Sequence, residues 1–69
     1  MENVKINYIG FGVQNLNTAN IEDALFHLGA KYGARIYNAG IKTGAIRINH
    51  ETNQIEVDVD QMNLFISQS

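Results

Sequence analysis

Apolar residues alternate with polar residues over the first part of the chain, and the alternation changes phase partway. They occupy the even positions 4, 6 and 8 and then the odd positions 9, 11 and 13. This pattern predicts a strand over residues 4–13. Gly10 and Gly12 lie where the phase changes, and glycine inside a strand often marks a bulge. Either a bulge turns the second set inward, or the strand is apolar on both faces and a second subunit covers one of them.

A helix is predicted over residues 21–32, after a polar, asparagine-rich loop at 14–20. Asn20 is a favourable N-cap residue, and two carboxylates follow in the first turn, where the helix dipole stabilises them. Gly33 is a typical residue just beyond a helix end. Apolar residues recur with the spacing of one buried helical stripe, at positions 21, 24, 25, 28 and 32.

A hairpin is predicted from strands at 45–50 and 55–59, because apolar residues alternate there with polar and charged ones. A turn centred on Thr52 and Asn53 places every apolar residue of the hairpin on one face and every charge on the other. The pairs in this register are Ile48 with Val57, Ile46 with Val59, Arg47 with Asp58 and Asn49 with Glu56.

The remaining segments complete a small α+β fold. Residues 34–39 suggest a short strand, and residues 40–44 a glycine-flanked turn. The apolar residues at positions 62, 65 and 66 fit a short helical turn capped by Asp60, although an extended continuation fits them too. Residues 67–69 are predicted to be a frayed tail. We therefore expect one α+β domain over residues 1–69 in the order β-α-β-β-β, with one helix packed on a mostly antiparallel sheet of about four strands.

Length and composition limit how such a domain is stabilised. A domain of this size buries only about 60% of the surface that its unfolded chain exposes, so small domains use disulfides, a metal or a second subunit. No cysteine is present, and His27 and His50 are the only histidines. We therefore expect no disulfide, no metal site and no cofactor. Association with a second copy of the chain, as a homodimer, is the route left open.

The composition also bears on location. At 45% hydrophobic and 17% charged residues the chain resembles a folded globule. Met1–Asn3 lacks the basic start of a signal peptide, and no apolar run approaches the roughly 20 residues that span a membrane. Since the lack of cysteine fits a reducing compartment, we expect a cytoplasmic protein without membrane contact. Frequent asparagine and isoleucine, which have A+T-rich codons, suggest a low-G+C bacterium or one of its phages.

No motif carries a specific catalytic chemistry. The Gly-Phe-Gly at 10–12 lacks the third glycine of a dinucleotide fingerprint, and segment 40–44 lacks the features of a phosphate loop. Glu56, Asp58 and Asp60 lie about 6.5 Å apart along one predicted strand face, a separation seen in glycosidases. A solvated strand face is the favoured interpretation of this stripe. We therefore expect no enzyme activity and no catalytic residue.

Cations and aromatic residues give the most specific indication of function. Four cations occur among residues 31–48 without any acid, and two tyrosines lie between them. Tyrosine and arginine are typical anchors of protein interfaces. The candidate binding residues are Lys31, Tyr32, Arg35, Tyr37, Lys42 and Phe11.

Two functions fit these residues. The favoured one is a small non-enzymatic homodimeric module that binds a larger protein as an inhibitor or accessory protein. The alternative is a nucleic-acid or nucleotide binder that uses the same cations and tyrosines. A net charge of −2 argues against a duplex-DNA binder. The predicted pairing of Arg47 with an acid leaves only three cations for phosphates.

Overall fold

Four short strands and three helices follow one another in the computed structural model, which describes residues 2–68. They are β1 (Lys5–Tyr8), β2 (Gly12–Asn15), α1 (Ile21–Tyr32), α2 (Ala34–Thr43), β3 (Ile46–Asn49), β4 (Gln54–Val57) and α3 (Val59–Ser67). The strands form one mixed sheet in the order β2-β1-β4-β3. The central pair β1–β4 is parallel and the two outer pairs are antiparallel. The α+β class and the mostly antiparallel sheet are confirmed, whereas the predicted order β-α-β-β-β with a single helix is wrong.

The first predicted strand is in fact a hairpin. The chain reverses after Tyr8, whose carbonyl accepts a hydrogen bond from the Phe11 N–H at 2.8 Å. Gly10 is the third residue of this turn and has φ 86°, which is the conformation that a type II turn requires there. The change of phase in the apolar pattern therefore marks a reversal of direction and not a bulge. It also follows that the predicted loop at 14–20 begins too early, because β2 continues to Asn15.

Helix α1 matches its predicted bounds. The Asn20 side chain accepts a hydrogen bond from the Glu22 N–H at 2.8 Å, as an N-cap residue does. Gly33 follows the last turn and donates its N–H to the Gly29 carbonyl at 2.8 Å. The predicted stripe faces the core, with Ala24 and Leu28 fully buried.

Residues 34–43 are helical, so the predicted strand at 34–39 and the turn at 40–44 are wrong. Ile36 and Gly40 lie one turn apart and both are buried. A Cβ atom at position 40 would lie only 2.7 Å from Ile46 Cδ1 and 2.8 Å from Met62 Sδ. Gly40 is therefore required for close packing inside α2 and does not end the helix. The helix ends at Gly44.

The second predicted hairpin exists, but its register is shifted. The observed pairs are Ile46 with Val57, Arg47 with Glu56, Ile48 with Ile55 and Asn49 with Gln54. The Asn49 side chain accepts hydrogen bonds from two N–H groups of the turn, at 3.0 and 3.2 Å, and Asn53 takes a positive φ of 57°. The observed strand pairs centre the turn one residue earlier than predicted. Since each partner changes by two residues, every side chain keeps its predicted face.

The C-terminal segment is helical, so the extended alternative is wrong. Asp58 caps α3, accepting a hydrogen bond from the Gln61 N–H at 3.1 Å, in place of the predicted Asp60. Val59, predicted in a strand, is the first residue of this helix, and Ser67, predicted in the tail, is its last. Ser69 lies outside the described residues.

The two faces of the sheet differ in polarity. The helices cover one face, where the apolar core includes Ile6, Ile55, Val57 and Met62, all with no exposed surface. The opposite face, which we call the open face, carries Val13 and seven polar or charged residues: Lys5, Asn7, Asn15, Arg47, Asn49, Gln54 and Glu56. The sheet therefore has no second apolar face that a partner subunit must cover, which removes one of the two arguments for a dimer.

Alanine substitution at two helical glycines is expected to change the stability of the fold in opposite directions. Gly40→Ala forces Ile46 and Met62 to move, so we expect a net loss of about 1 kcal/mol or more after the gain in helix propensity. Gly29→Ala is the matched control, because its Cβ meets only Tyr37 Cγ at an ordinary 3.9 Å, and we expect it to stabilise the fold by up to about 1 kcal/mol. Urea denaturation of both variants measures this, and shifts of the same sign would contradict the packing described for α2.

Candidate functional site

A cleft of about 500 Å³ opens where the β1–β2 hairpin meets the end of α1 and the start of α3. We call it the hairpin cleft. Its lining combines aromatic, aliphatic and amide side chains with a single charged one, and consists of Tyr8, Phe11, Gly12, Val13, Gln14, Lys31, Tyr32, Val59 and Asn63.

The hairpin turn holds apolar side chains in solvent at one side of this cleft. Phe11, in the turn, is 71% exposed, and Val13 of β2, whose side chain lies on the face of the sheet away from the helices, is 58% exposed. Ile9, at the start of the turn, is also exposed, and its N–H donates to the Val57 carbonyl at 3.0 Å. That hydrogen bond and the one that closes the turn fix the backbone on both sides of Gly10. The exposed apolar side chains therefore stand on a fixed backbone and not on a loose loop.

Lys31 lies over the aromatic rings of the cleft. Its Nζ is 4.2 Å from the centre of the Tyr8 ring and 5.8 Å from that of Tyr32, within the range of cation–π attraction. Among residues 2–68 the one ion pair joins Arg47 to Glu56, at 3.5 Å. Lys31 thus has no carboxylate partner in this part of the chain, and its ammonium group has N–H donors to offer a ligand.

The hydroxyl groups of the two tyrosines differ in their surroundings. Tyr8 donates a hydrogen bond to Gln14 Oε1 at 3.1 Å, across the β1–β2 pair. Burial raises the pKa of the Tyr32 hydroxyl above its ordinary value of 10.0, and the charge of Lys31 acts in the opposite direction. Tyr32 therefore enters any interaction at neutral pH as a hydrogen-bond donor.

Strand β2 leaves one edge of the sheet open beside the cleft. The Leu16 N–H donates to the Val4 carbonyl at 2.9 Å, which sets the phase of the β1–β2 ladder. Since hydrogen-bonded and non-hydrogen-bonded pairs alternate in an antiparallel ladder, the peptide groups of Val13 and Asn15 point away from β1. They lie on the outer edge of the sheet, where no other strand of the described residues 2–68 pairs with them.

The structure brings together three of the six predicted binding residues, namely Phe11, Lys31 and Tyr32. Arg35 lies beside Tyr32 but faces a separate shallow depression. Tyr37 lines a groove between α1 and α2. Lys42 is in the last turn of α2, on the same side of that helix as Arg35 because seven residues separate them.

Sequence reasoning missed Tyr8, Gln14, Val59 and Asn63 as residues of the cleft. Tyr8 and Gln14 flank the turn and would follow from interpreting the two glycines as a hairpin signal. Val59 and Asn63 come from a distant segment. No local signal places them near Phe11, because the parallel pairing of β1 with β4 brings them there.

Other groups that suggested chemistry do not converge. The predicted stripe of three carboxylates is broken, since Glu56 lies on β4, Asp58 caps α3 and Asp60 is in the first turn of that helix. Within the described range 2–68, no three histidine, aspartate or glutamate side chains are grouped so as to hold a metal ion. Across the same residues no helix combines the length and the apolar character needed to cross a membrane.

The raised pKa of Tyr32 predicts a specific alkaline behaviour. The folded state holds this proton more tightly than the unfolded chain, so its stabilisation is complete below about pH 10 and declines as the pH rises towards the raised pKa. We expect the phenolate absorbance of wild type minus that of Tyr32→Phe to titrate with a midpoint above 10. A difference curve centred at or below 10, while circular dichroism shows the fold intact, would contradict this.

Comparison with known proteins provides no relative from which a function can be transferred. No family model matches the chain, no curated protein matches it, and no solved structure matches it. The hairpin cleft and the surfaces around it are therefore the basis for assigning a function.

Proposed function

We propose that this chain is a small non-enzymatic module that binds a larger protein through the hairpin cleft, as an inhibitor or accessory protein. The observation that carries the proposal is the exposure of Phe11, 71% of whose surface faces solvent at the tip of a fixed turn. Exposed aromatic side chains grouped with other apolar residues are typical of interaction sites on soluble proteins.

The composition of the cleft supports a protein partner. Aromatic residues that stand beside a polar rim supply most of the energy in many protein interfaces. Phe11 and Tyr32 offer such anchors, and Gln14, Asn63 and Lys31 offer hydrogen bonds around them. The turn backbone is held by hydrogen bonds in the free protein, so binding orders few additional groups.

A second apolar surface supports the proposed homodimer. Phe26 is 81% exposed on the outside of α1. It borders a groove between α1 and α2 whose other lining residues include Leu25, Ala30 and Tyr37. Of the residues that the structure describes, none lines both this groove and the hairpin cleft. The chain can therefore associate with its own copy at the groove while the cleft holds a different protein.

The small core supports self-association too. Eleven apolar residues form the buried core of the described chain, and a domain of this size gains little stability beyond the entropy cost of folding. Covering Phe26 in a dimer would remove a large apolar side chain from water. The absence of cysteine is in keeping with work in a reducing cytoplasm, and the frequent asparagine and isoleucine, whose codons are A+T-rich, are in keeping with a phage or low-G+C bacterial source.

Nucleic-acid or nucleotide binding is the second candidate, and the side of α2 that carries Arg35 and Lys42 favours it. No acidic residue occurs in that helix. The cations are spread over several elements, however, and Arg47 is held by Glu56 on the open face of the sheet. Few phosphate contacts give weak, salt-sensitive binding, so we rank this function below protein binding.

Photo-crosslinking from chosen positions tests both proposed interfaces in one experiment. p-Benzoylphenylalanine replaces Phe11, Phe26 or, as an exposed control in the β3–β4 turn, Glu51, and the protein is irradiated in cells of its native host. From position 11 we expect a discrete adduct with a larger protein, and from position 26 a species of twice the chain mass. The control position should give neither.

The outcomes separate the candidates. Adducts of position 11 that resemble those of position 51 would contradict the hairpin cleft as a protein-binding site. An adduct with nucleic acid at position 11 would favour nucleic-acid binding over protein binding, with the cleft and not α2 as its site. A doubled mass from position 11 and not from position 26 would assign the cleft to self-association and leave no protein partner for it.

A further inference from the structure

The open edge of β2 and the hairpin cleft lie side by side and present complementary kinds of contact. The edge offers the peptide groups of Val13 and Asn15, which point away from the sheet. The cleft offers side-chain contacts on the helix-covered side of the same strand, where Gln14 and Gly12 lie. A partner segment in extended conformation would use both, because its backbone pairs with the edge while alternate side chains enter the cleft.

The edge of β2 is long enough to pair with a short added strand. A strand that pairs with β2 would lie about 4.8 Å beyond it, with side chains of one face repeating about every 6.6 Å. β2 is four residues long, so its outward peptide groups offer up to four backbone hydrogen bonds. Side chains of the added strand that point to the helix side would be directed towards the cleft, which Lys31 and Tyr32 line.

The charge at this edge selects the partner. Lys31 is the one charged residue among those that line the cleft, and it has no carboxylate partner within residues 2–68. On the open face of the sheet, Lys5 lies opposite Asn15 of β2. Two cations therefore lie near β2, and no acidic residue occurs in β2 or among the residues from 2–68 that line the cleft, in a chain whose net charge is −2. A basic segment would find no counter-charge here, whereas a carboxylate would meet an ammonium group already oriented by the Tyr8 ring.

We propose that the partner contributes an extended segment that adds to β2 as a further strand and places a carboxylate against Lys31. This inference rests on the proposed function and specifies the partner's chemistry. The carboxylate belongs either to an aspartate or glutamate side chain or to the end of the partner chain. A second copy of the chain is a poorer occupant, because antiparallel pairing of two β2 strands would bring no acidic side chain of the strand to the cleft.

The test uses random peptide libraries selected on the wild-type protein. One library displays short peptides with free carboxyl ends, and the other displays them within a longer chain. We expect enrichment of alternating apolar residues together with an acidic side chain in both libraries, or of a defined end in the first library alone. The second result would identify the terminal carboxylate as the ligand of Lys31, and amidation of that peptide should then abolish binding.

The most enriched peptide is then measured against variants of the protein. We expect Lys31→Gln to weaken binding by about tenfold or more, as loss of a charge-assisted hydrogen bond does, and Lys31→Arg to retain most of it. Chemical synthesis allows N-methylation of Val13, which removes an outward N–H and blocks the edge; we expect a loss of at least about tenfold. N-methylation of Ile48 is the matched control, because its peptide group points outward on the opposite edge, at β3.

Each remaining outcome overturns the inference in a recognisable way. If no peptide is enriched, or if N-methyl Val13 and N-methyl Ile48 bind equally, strand addition is wrong. If Lys31→Gln binds as wild type does, the carboxylate is wrong. If Phe11→Ser is the only variant that loses peptide binding, the hairpin cleft still binds a protein segment and the proposed function stands. Addition of that segment to β2 as a strand would then be refuted. Single-stranded DNA that binds with loss in Lys31→Gln but not in N-methyl Val13 would assign the cleft to nucleic acid and refute both.

Discussion

The parallel pairing of β1 with β4 is the interaction on which the rest of the structure depends. Ile6 lies opposite Ile55, and Tyr8 opposite Val57, so the first and last strands of the chain form the centre of the sheet. Because parallel strands run in the same direction, their carboxyl ends lie at the same end of the sheet. The segments that follow β1 and β4 therefore meet there. One segment is the hairpin turn and the other is the start of α3. The cleft between Phe11 and Val59 is a direct consequence of this pairing.

Asn53 fastens the opposite end of the same strand pair. Its side-chain amide donates to the carbonyls of Glu2 and Ala19, at 2.7 and 2.9 Å, and its own carbonyl accepts from the Lys5 N–H at 3.3 Å. The β3–β4 turn, the start of the chain and the approach to α1 are thus joined by one residue. As α1 begins at this end, its last turn carries Lys31 and Tyr32 to the end where the cleft lies.

Local signals in the sequence predict elements whose stability is itself local. Helix α1 follows from Asn20, a stripe of regular spacing and Gly33, and all three are visible within 14 residues. The faces of the β3–β4 hairpin follow from strict alternation, and they persist although the turn is centred differently. Gly10 and Gly40 show the limit. A glycine inside an apolar pattern fits a bulge, a turn or a close contact, and only distant residues decide among them. For Gly10 the distant residue is Val57, whose carbonyl accepts a hydrogen bond from the Ile9 N–H. For Gly40 the distant residues are Ile46 and Met62, against which it packs.

The same limit explains the predicted site. Phe11, Lys31 and Tyr32 come together because the turn of the β1–β2 hairpin and the last turn of α1 lie at the same end of the sheet. Arg35, Tyr37 and Lys42 were grouped with them by nearness in sequence and by a strand that is in fact helix α2, which directs them to other surfaces. Neither Val59 nor Asn63 could be found without the β1–β4 pairing, since more than forty residues separate them from Phe11.

An exposed apolar turn, a single cation over two tyrosines and an open strand edge together favour recognition of another protein over chemistry on a substrate. Amide hydrogen exchange, measured on the chain alone and in complex with the protein crosslinked at position 11, tests this most directly. We expect slower exchange at Val13 and Asn15 in the complex, with no change at Ile46 and Ile48 on the other edge. Unchanged exchange along β2, with protection confined to α2 or the open face of the sheet, would contradict it.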